Sequence, residues 1–235
     1  MIERTPIRSL DEVIGYIGAP RAGKTAMAAG ELSAFQGFAL VHDPSEDFPT
    51  RLPDGELLDV YQHSTLRSAA RGFRRRPEAI HACSFDVEQV IALAKELVAG
   101  TTRGTDAIPV ALLIDESVSW EEAKGGRRQM GPQAADLIAR RRRLHISLRY
   151  CAQFAGQIRS ELLALATRLC VFRLRDTDDI SRLRRRGMPD ELLAKVPTLA
   201  QYEHVEWDAA AFPRAPHSPQ DEPAGQPAPI VPRSV

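Results

Sequence analysis

The stretch Val13–Thr25, VIGYIGAPRAGKT, decides the fold. Its first five residues form a short continuous apolar run, the pattern of a strand buried on both faces of a sheet. The next eight, Gly18-Ala19-Pro20-Arg21-Ala22-Gly23-Lys24-Thr25, match G-x-x-x-x-G-K-[ST] without a departure, and AMAAGELSAFQ (26–36) reads as a helix. Strand, glycine-rich turn and helix in that order make a phosphate cradle. Gly18 and Gly23 let backbone N–H groups turn inward with no Cβ in the way. The start of the helix points its positive dipole end at the same place. Lys24 is expected to reach the β- and γ-phosphates of a nucleotide, and the Thr25 hydroxyl to ligate Mg2+. Gly18 through Thr25, together with Ala26, are therefore the expected nucleotide-binding residues. The alternative is a strand-to-helix turn that binds nothing.

A second apolar run, Val110–Ile114, ends in Asp115-Glu116. A buried strand ending this way sets two carboxylates at the carboxyl edge of a sheet, where open α/β sheets bind ligands. Asp115 is expected to hold Mg2+ through water, and Glu116 to orient or deprotonate an attacking water. A nucleotide switch or kinase calls for one acid with no second. The adjacent pair favours a hydrolase, although acids after an apolar run also serve as helix caps.

Further apolar runs at Phe38–His42, Ala79–Phe85, His145–Cys151 and Leu169–Leu174 alternate with helical patterns at 65–75, 87–99, 133–143, 157–166 and 177–186. That alternation predicts an α/β domain with a largely parallel sheet. YEHVEW (202–207) alternates and reads as an edge strand. Residues 1–208 are expected to form one domain. The last 27 residues hold seven of the 17 prolines and few large apolar side chains, so 209–235 is expected to be a disordered proline-rich tail.

Composition narrows the class. Hydrophobic residues make up 43% of the 235, charged residues 26%, and Lys plus Arg equals Asp plus Glu at 31 each. The N-terminus has no apolar signal core and no apolar run reaches the length of a membrane span, so a cytoplasmic protein without a membrane span is expected. Cys83, Cys151 and Cys170 lie in apolar runs without CxxC spacing and read as buried core residues. The even charge balance hides an asymmetry: residues 1–123 carry net −7, residues 124–186 net +11, and residues 187–235 net −4. The basic stretch presents a positive face to a polyanion, or else its arginines are solvated and paired with the acidic half.

Three more segments bear on family. Asp43-Pro44-Ser45-Glu46 follows the second strand; ARRRRLHISLRYCAQ (139–153) joins an arginine-rich helix end to a strand and a glutamine; LATRLCVFRL (165–174) precedes a helix beginning with DTDD. With the two phosphate-site motifs, this order resembles the FtsK–HerA superfamily of DNA-pumping ATPases, most of all the small genome-packaging ATPases of membrane-containing phages. The resemblance spans about residues 13–207. It implies a RecA-like P-loop NTPase fold of the additional-strand, catalytic-glutamate type, with a mainly parallel sheet flanked by helices. It also implies ATP and Mg2+ as cofactors, double-stranded DNA as partner, and a homo-oligomer, expected to be a hexameric ring. Gln153 matches the family's sensor glutamine for the γ-phosphate, on a strand between the two phosphate-site strands. Arg140, Arg141 and Arg142, or else Arg168, match regions that supply an arginine finger to a neighbouring subunit. Arginines at a helix C-terminus are also favoured by the dipole, and Arg74-Arg75-Arg76 reads as a solvated helix end.

The chain departs from the pattern in places. It has CAQFAG where many members have TQRP, and LHI where many have a glycine before the strand. Trp120–Gly131, with Lys124, Arg127 and Arg128, reads as a loop that either lines a ring's channel and grips DNA phosphates or is only a surface loop. The expected function is an ATP-hydrolysing motor that translocates double-stranded DNA, its tail a tether for a capsid or membrane partner. The rival is an ATPase that drives protein or virion assembly without DNA. Arginines of 124–186 gathered on one channel favour the first; scattered or paired arginines favour the second.

Overall fold

Apolar runs of four to seven residues become strands, and the longer segments with helical spacing pack on both faces of the sheet they form. The computed structural model describes residues 12–101, 108–115, 121–124, 127–158 and 160–208. In chain order the elements are β1 (Val13–Ile17), α1 (Lys24–Ser33), β2 (Phe38–His42), β3 (Val60–His63), α2 (Leu66–Arg75), β4 (Ile80–Cys83), α3 (Val87–Thr101) and β5 (Val110–Ile114). There follow β6 (Glu121–Lys124), β7 (Arg127–Met130), α4 (Pro132–Leu144), β8 (Ile146–Ala152), α5 (Ser160–Leu165), β9 (Arg168–Phe172), α6 (Thr177–Arg186), α7 (Asp190–Leu193) and β10 (His204–Asp208).

The main sheet has eight strands in the order β10-β9-β1-β8-β5-β2-β4-β3. All neighbours are parallel except β10, which pairs antiparallel with β9 at the edge. The fold is a mainly parallel sheet flanked by helices, as the alternation of runs predicts. β8 lies between β1 and β5, pairing Ile17 with Ala152 and Ile114 with Tyr150, which is the additional-strand arrangement. It brings the ends of β1, β8 and β5 to one edge.

Alternation along each strand divides the core in two. Val13, Ile17, Leu112, Ile114 and Leu148 face the side covered by α2–α6. Ile14, Tyr16, Ala111, Leu113 and Cys151 face the side covered by α1. Each large aliphatic side chain so buried contributes roughly 1.5–3 kcal/mol of transfer free energy, which is why the strands read as continuous apolar runs. Cys83, Cys151 and Cys170 are free and buried, as expected. Among the described residues no helix is long and apolar enough to cross a membrane.

Two expectations need correction, and two elements had none. Gln157–Ala166 is not one helix but a 3-10 turn (Ala155–Gln157) followed by α5. β3 and α7 gave no clear apolar pattern; β3 carries Tyr61 and Gln62 exposed at the sheet edge. Trp120–Gly131 is not simply a loop, because β6 and β7 pair antiparallel from Glu121↔Met130 to Lys124↔Arg127. The sequence between them is Gly125-Gly126, a pair favoured by two-residue hairpins. The proline-rich segment 209–235 and Glu116 lie outside the described residues.

Buried histidines should make the fold sensitive to acid. His42 is buried at the end of β2, and burial lowers its pKa to about 4. His63 is lowered to about 4 in the same way. His81 is fully buried and donates Nε2–H to the Arg76 carbonyl at 2.9 Å; as a neutral ring it then accepts on Nδ1 from His63 Nε2, also at 2.9 Å. With both rings neutral, as burial favours, that chain puts the proton on Nε2 of each. An unfolded histidine titrates near 6.5, so between roughly pH 6.5 and 4 the unfolded chain binds more protons than the folded one. Stability should be full above about pH 6.5 and fall steadily toward pH 4, by about 1.4 kcal/mol for each tenfold loss in proton affinity. Thermal unfolding from pH 7.5 to 4.5 checks this, and His42→Asn should flatten part of the slope; a flat profile in the wild type would count against it.

Candidate nucleotide-binding site

At the carboxyl edge of β1 the chain turns through Gly18–Gly23 into α1. Gly18 has no room for a side chain, since a Cβ there would stand 2.5 Å from Phe172 Cβ. Its N–H donates to Ala152 O at 3.1 Å, and that of Ala19 to Arg173 O at 3.0 Å, so the loop is tied to β8 and to the chain just beyond β9. Gly23 adopts φ +113°, a left-handed conformation that favours glycine, and serves as N-cap of α1 without a side-chain cap bond. The first turn of α1 has no acidic residue either. Three other helices are capped by side chains: Thr65 caps α2, Asp176 caps α6, and Glu88 of α3 accepts from the Gln133 and Ala134 amides at the start of α4. The positive end of α1 is left for something else.

Lys24 is buried, and its Nζ donates to Gly18 O at 2.8 Å and Ala19 O at 3.0 Å. The ammonium thus lies inside the loop. Thr25 Oγ1 donates to Asp115, 3.2 Å from Oδ2 and 3.4 Å from Oδ1. The two motifs, 90 residues apart in sequence, meet at this contact. A cleft of about 540 Å3 opens over them, walled by Lys24, Thr25 and Ala26 from α1, Asp115 from β5, and Gln153 after β8. Pro20, Arg21 and Gly23 of the loop also line it, while Ala22 is buried beneath and Ala19 faces a neighbouring cleft. Cys151 is at the floor, its thiol pushed well above the ordinary range by burial and by Asp115 nearby.

The expected arginines fare differently. Arg140 is exposed on α4 and paired with Asp136 one turn earlier, Nε to Oδ1 2.5 Å. It lies toward the end of α4 that leads into the start of β8, away from the cleft. The side chains of Arg141 and Arg142 lie outside the described residues. Arg168 sits in the subunit's own core. It begins β9, at the amino edge of the sheet, and is buried with Nη2 2.6 Å from Glu31 Oε2. A guanidinium held in its own core by a carboxylate is not offered to a neighbouring subunit.

Some cleft residues were given no role by the sequence. Ser45 and Asp47 form the far wall, on a loop shaped by Asp43, which is fully buried and accepts from the Asp47 and Phe48 amides. Gln201 and Tyr202, in the turn before β10, form the near wall. They are distant in sequence from every motif, and only the tertiary fold brings them there.

No protein-family model matches the chain, and no curated protein matches it in sequence. Solved structures do. The genome packaging NTPase B204 from Sulfolobus turreted icosahedral virus 2, in complex with ATP-gammaS, superposes with TM-score 0.65 at 16% identity, over 87% of this chain and 95% of that one. The same protein in complex with AMPPCP gives 0.66 at 16% identity, over 87% and 96%. B204, the DNA-packaging ATPase from Sulfolobus turreted icosahedral virus, gives 0.60 at 17% identity, over 86% and 94%. With the loop, the additional strand β8 and the Thr25–Asp115 contact in place, the chain has the RecA-like fold of a P-loop NTPase.

Proposed function

We propose that the protein is an ATP-hydrolysing motor that moves double-stranded DNA, working as a ring of identical subunits. One observation carries the reading. Lys24 and the uncapped start of α1 converge on the loop interior, while Thr25 and Asp115 meet beside it. That is a site for a polyphosphate with a divalent cation at its flank. The donor set suits Mg2+, a hard cation that takes hydroxyl and carboxylate oxygens and keeps several waters. Thr25 and Asp115 would hold it, and it would neutralise charge on the β- and γ-phosphates. Lys24 would leave its two loop carbonyls for the phosphates. Glu116, next after Asp115, would take the proton of the attacking water, and Gln153 would contact the γ-phosphate. A finger would come from a neighbour, with Arg140–Arg142 the remaining candidates.

DNA as the cargo is supported by the likeness to packaging NTPases and by the basic stretch. One observation favours the rival, an ATPase that drives protein or virion assembly. Much of that stretch is used within the subunit. Arg149 and Arg168 are buried, Arg182 and Arg186 donate to carbonyls, Arg184 pairs with Asp190, and Arg140 with Asp136. On the DNA reading, the grip falls to the β6–β7 ribbon, whose sequence holds Lys124, Arg127 and Arg128. The tail would tether a capsid or membrane partner.

The test is hydrolysis with and without linear double-stranded DNA at low and moderate salt, with Glu116→Gln as control. A motor that grips the backbone should be stimulated by DNA, lose the stimulation as salt rises, and fall silent in Glu116→Gln. Hydrolysis indifferent to DNA at every salt would transfer the reading to the assembly ATPase.

A further inference from the structure

Tyr202 breaks local rules. It has φ +67°, in the left-handed region that bulky residues avoid, and it is 47% exposed. A backbone held there persists only where its surroundings over-determine it. They do so here. The Tyr202 N–H donates to Ala22 O at 2.9 Å, and Gln201 Nε2 to Arg21 O at 3.3 Å. The ring lies so close to the loop that a Cβ on Gly23 would stand 2.7 Å from its Cδ1. The turn is fastened to the phosphate loop, and its ring remains open on the cleft.

Strand order gives the ring a place along a bound ligand. Asp115 follows β5 and Gln153 follows β8, both on one side of β1; Tyr202 precedes β10, two strands away on the other side. A triphosphate laid over the start of α1, with its reacting end toward Asp115 and Gln153, directs its nucleoside toward β9 and β10. Among the described residues that wall the cleft, Tyr202 is the only aromatic. From this we infer that Tyr202 is the platform on which the nucleobase of the bound nucleoside triphosphate stacks. The inference rests on the nucleotide reading above and assigns the other end of that site. Stacking reads the face of a base and not its edge, so the platform accepts nucleobases generally.

The experiment is calorimetric titration of the full chain, in Mg2+, with two probes: the β,γ-imido analogue of ATP, and inorganic tripolyphosphate, which has no base. Tyr202→Ala removes the ring. Tyr202→Asn removes it too, but suits the left-handed backbone, so its folding is secure. Both should bind the analogue roughly 5- to 100-fold more weakly than wild type and bind tripolyphosphate unchanged, while Tyr202→Phe keeps wild-type affinity for both. Unchanged analogue affinity in Tyr202→Asn overturns the inference, and so does an equal loss for both probes, which would mean the turn only braces the loop. A wild type that binds tripolyphosphate as tightly as the analogue overturns the platform and leaves the phosphate site standing. A wild type that binds neither probe overturns both.

Discussion

Lys24→Met should lower the turnover of ATP by roughly 10²- to 10³-fold, the cost of removing one well-placed donor to developing charge, and leave the protein folded. Methionine keeps most of the stem that packs at the start of α1 and deletes only the ammonium. In the structure that ammonium bonds two loop carbonyls, Gly18 O at 2.8 Å and Ala19 O at 3.0 Å, beside a cleft from which water can reach the space it leaves. The melting temperature should therefore change little. The kinetic loss follows from what the ammonium does when phosphates arrive. It is a buried charge with a short path from the carbonyls to the β–γ bridge, and charge grows on those oxygens in the transition state. Loss in kcat with a smaller change in KM would mark an interaction made mainly in the transition state; loss in KM alone would mark plain binding. Steady-state hydrolysis over a range of ATP concentration separates the two. Turnover within a few-fold of wild type would remove Lys24 from the chemistry and, with it, the reading of the loop.

The sequence was most legible where chemistry and chain coincide. A phosphate loop needs its strand, glycines, lysine and helix to be contiguous, so Val13–Thr25 declares itself, and Val110–Asp115 does so for the same reason. Buried parallel strands are apolar on both faces, which made β2, β5, β8 and β9 readable within a residue or two. What failed was whatever depends on distant partners. β3 has Tyr61 and Gln62 in the open because it is an edge, and no local pattern marks it. Tyr202 reads as the start of an edge strand, and only the docking of that turn on Ala22 brings it to the cleft. Arginine is the hardest residue to place. Arg168 matches a finger in sequence and a core ion pair in space, because one guanidinium serves either purpose and only its neighbours decide.

The second large effect tests that ion pair. Behind α1, on the face away from the cleft mouth, Glu31 Oε2 lies 2.6 Å from Arg168 Nη2, accepts from the Tyr16 hydroxyl at 2.8 Å, and is 3.9 Å from Arg149 Nε. Arg149 is fully buried; apart from Ser147 Oγ at 3.0 Å and the ring of Phe35, Glu31 is what answers its charge among the described residues. Glu206 reaches Arg168 Nη1 only at 3.6 Å and is partly exposed. Two guanidiniums therefore share one buried carboxylate. Glu31→Ala would leave both charges facing each other in the core, and breaking a buried pair from one side costs roughly 3–5 kcal/mol. In a domain of this size that is a fall of roughly 6–20 °C in melting temperature. Arg168→Met should cost less, because Glu31 keeps Arg149 and Tyr16 and the methionine fills the space of the lost stem. Its effect on function is the sharper point. If Arg168 is structural, Arg168→Met assayed well below its melting temperature should hydrolyse ATP at the wild-type rate per folded molecule. If it were a finger after all, turnover would drop by orders of magnitude with the fold intact. A melting curve and a rate for each variant decide between these, and a Glu31→Ala protein melting within 2 °C of wild type would show that the cluster is far better hydrated than its burial implies.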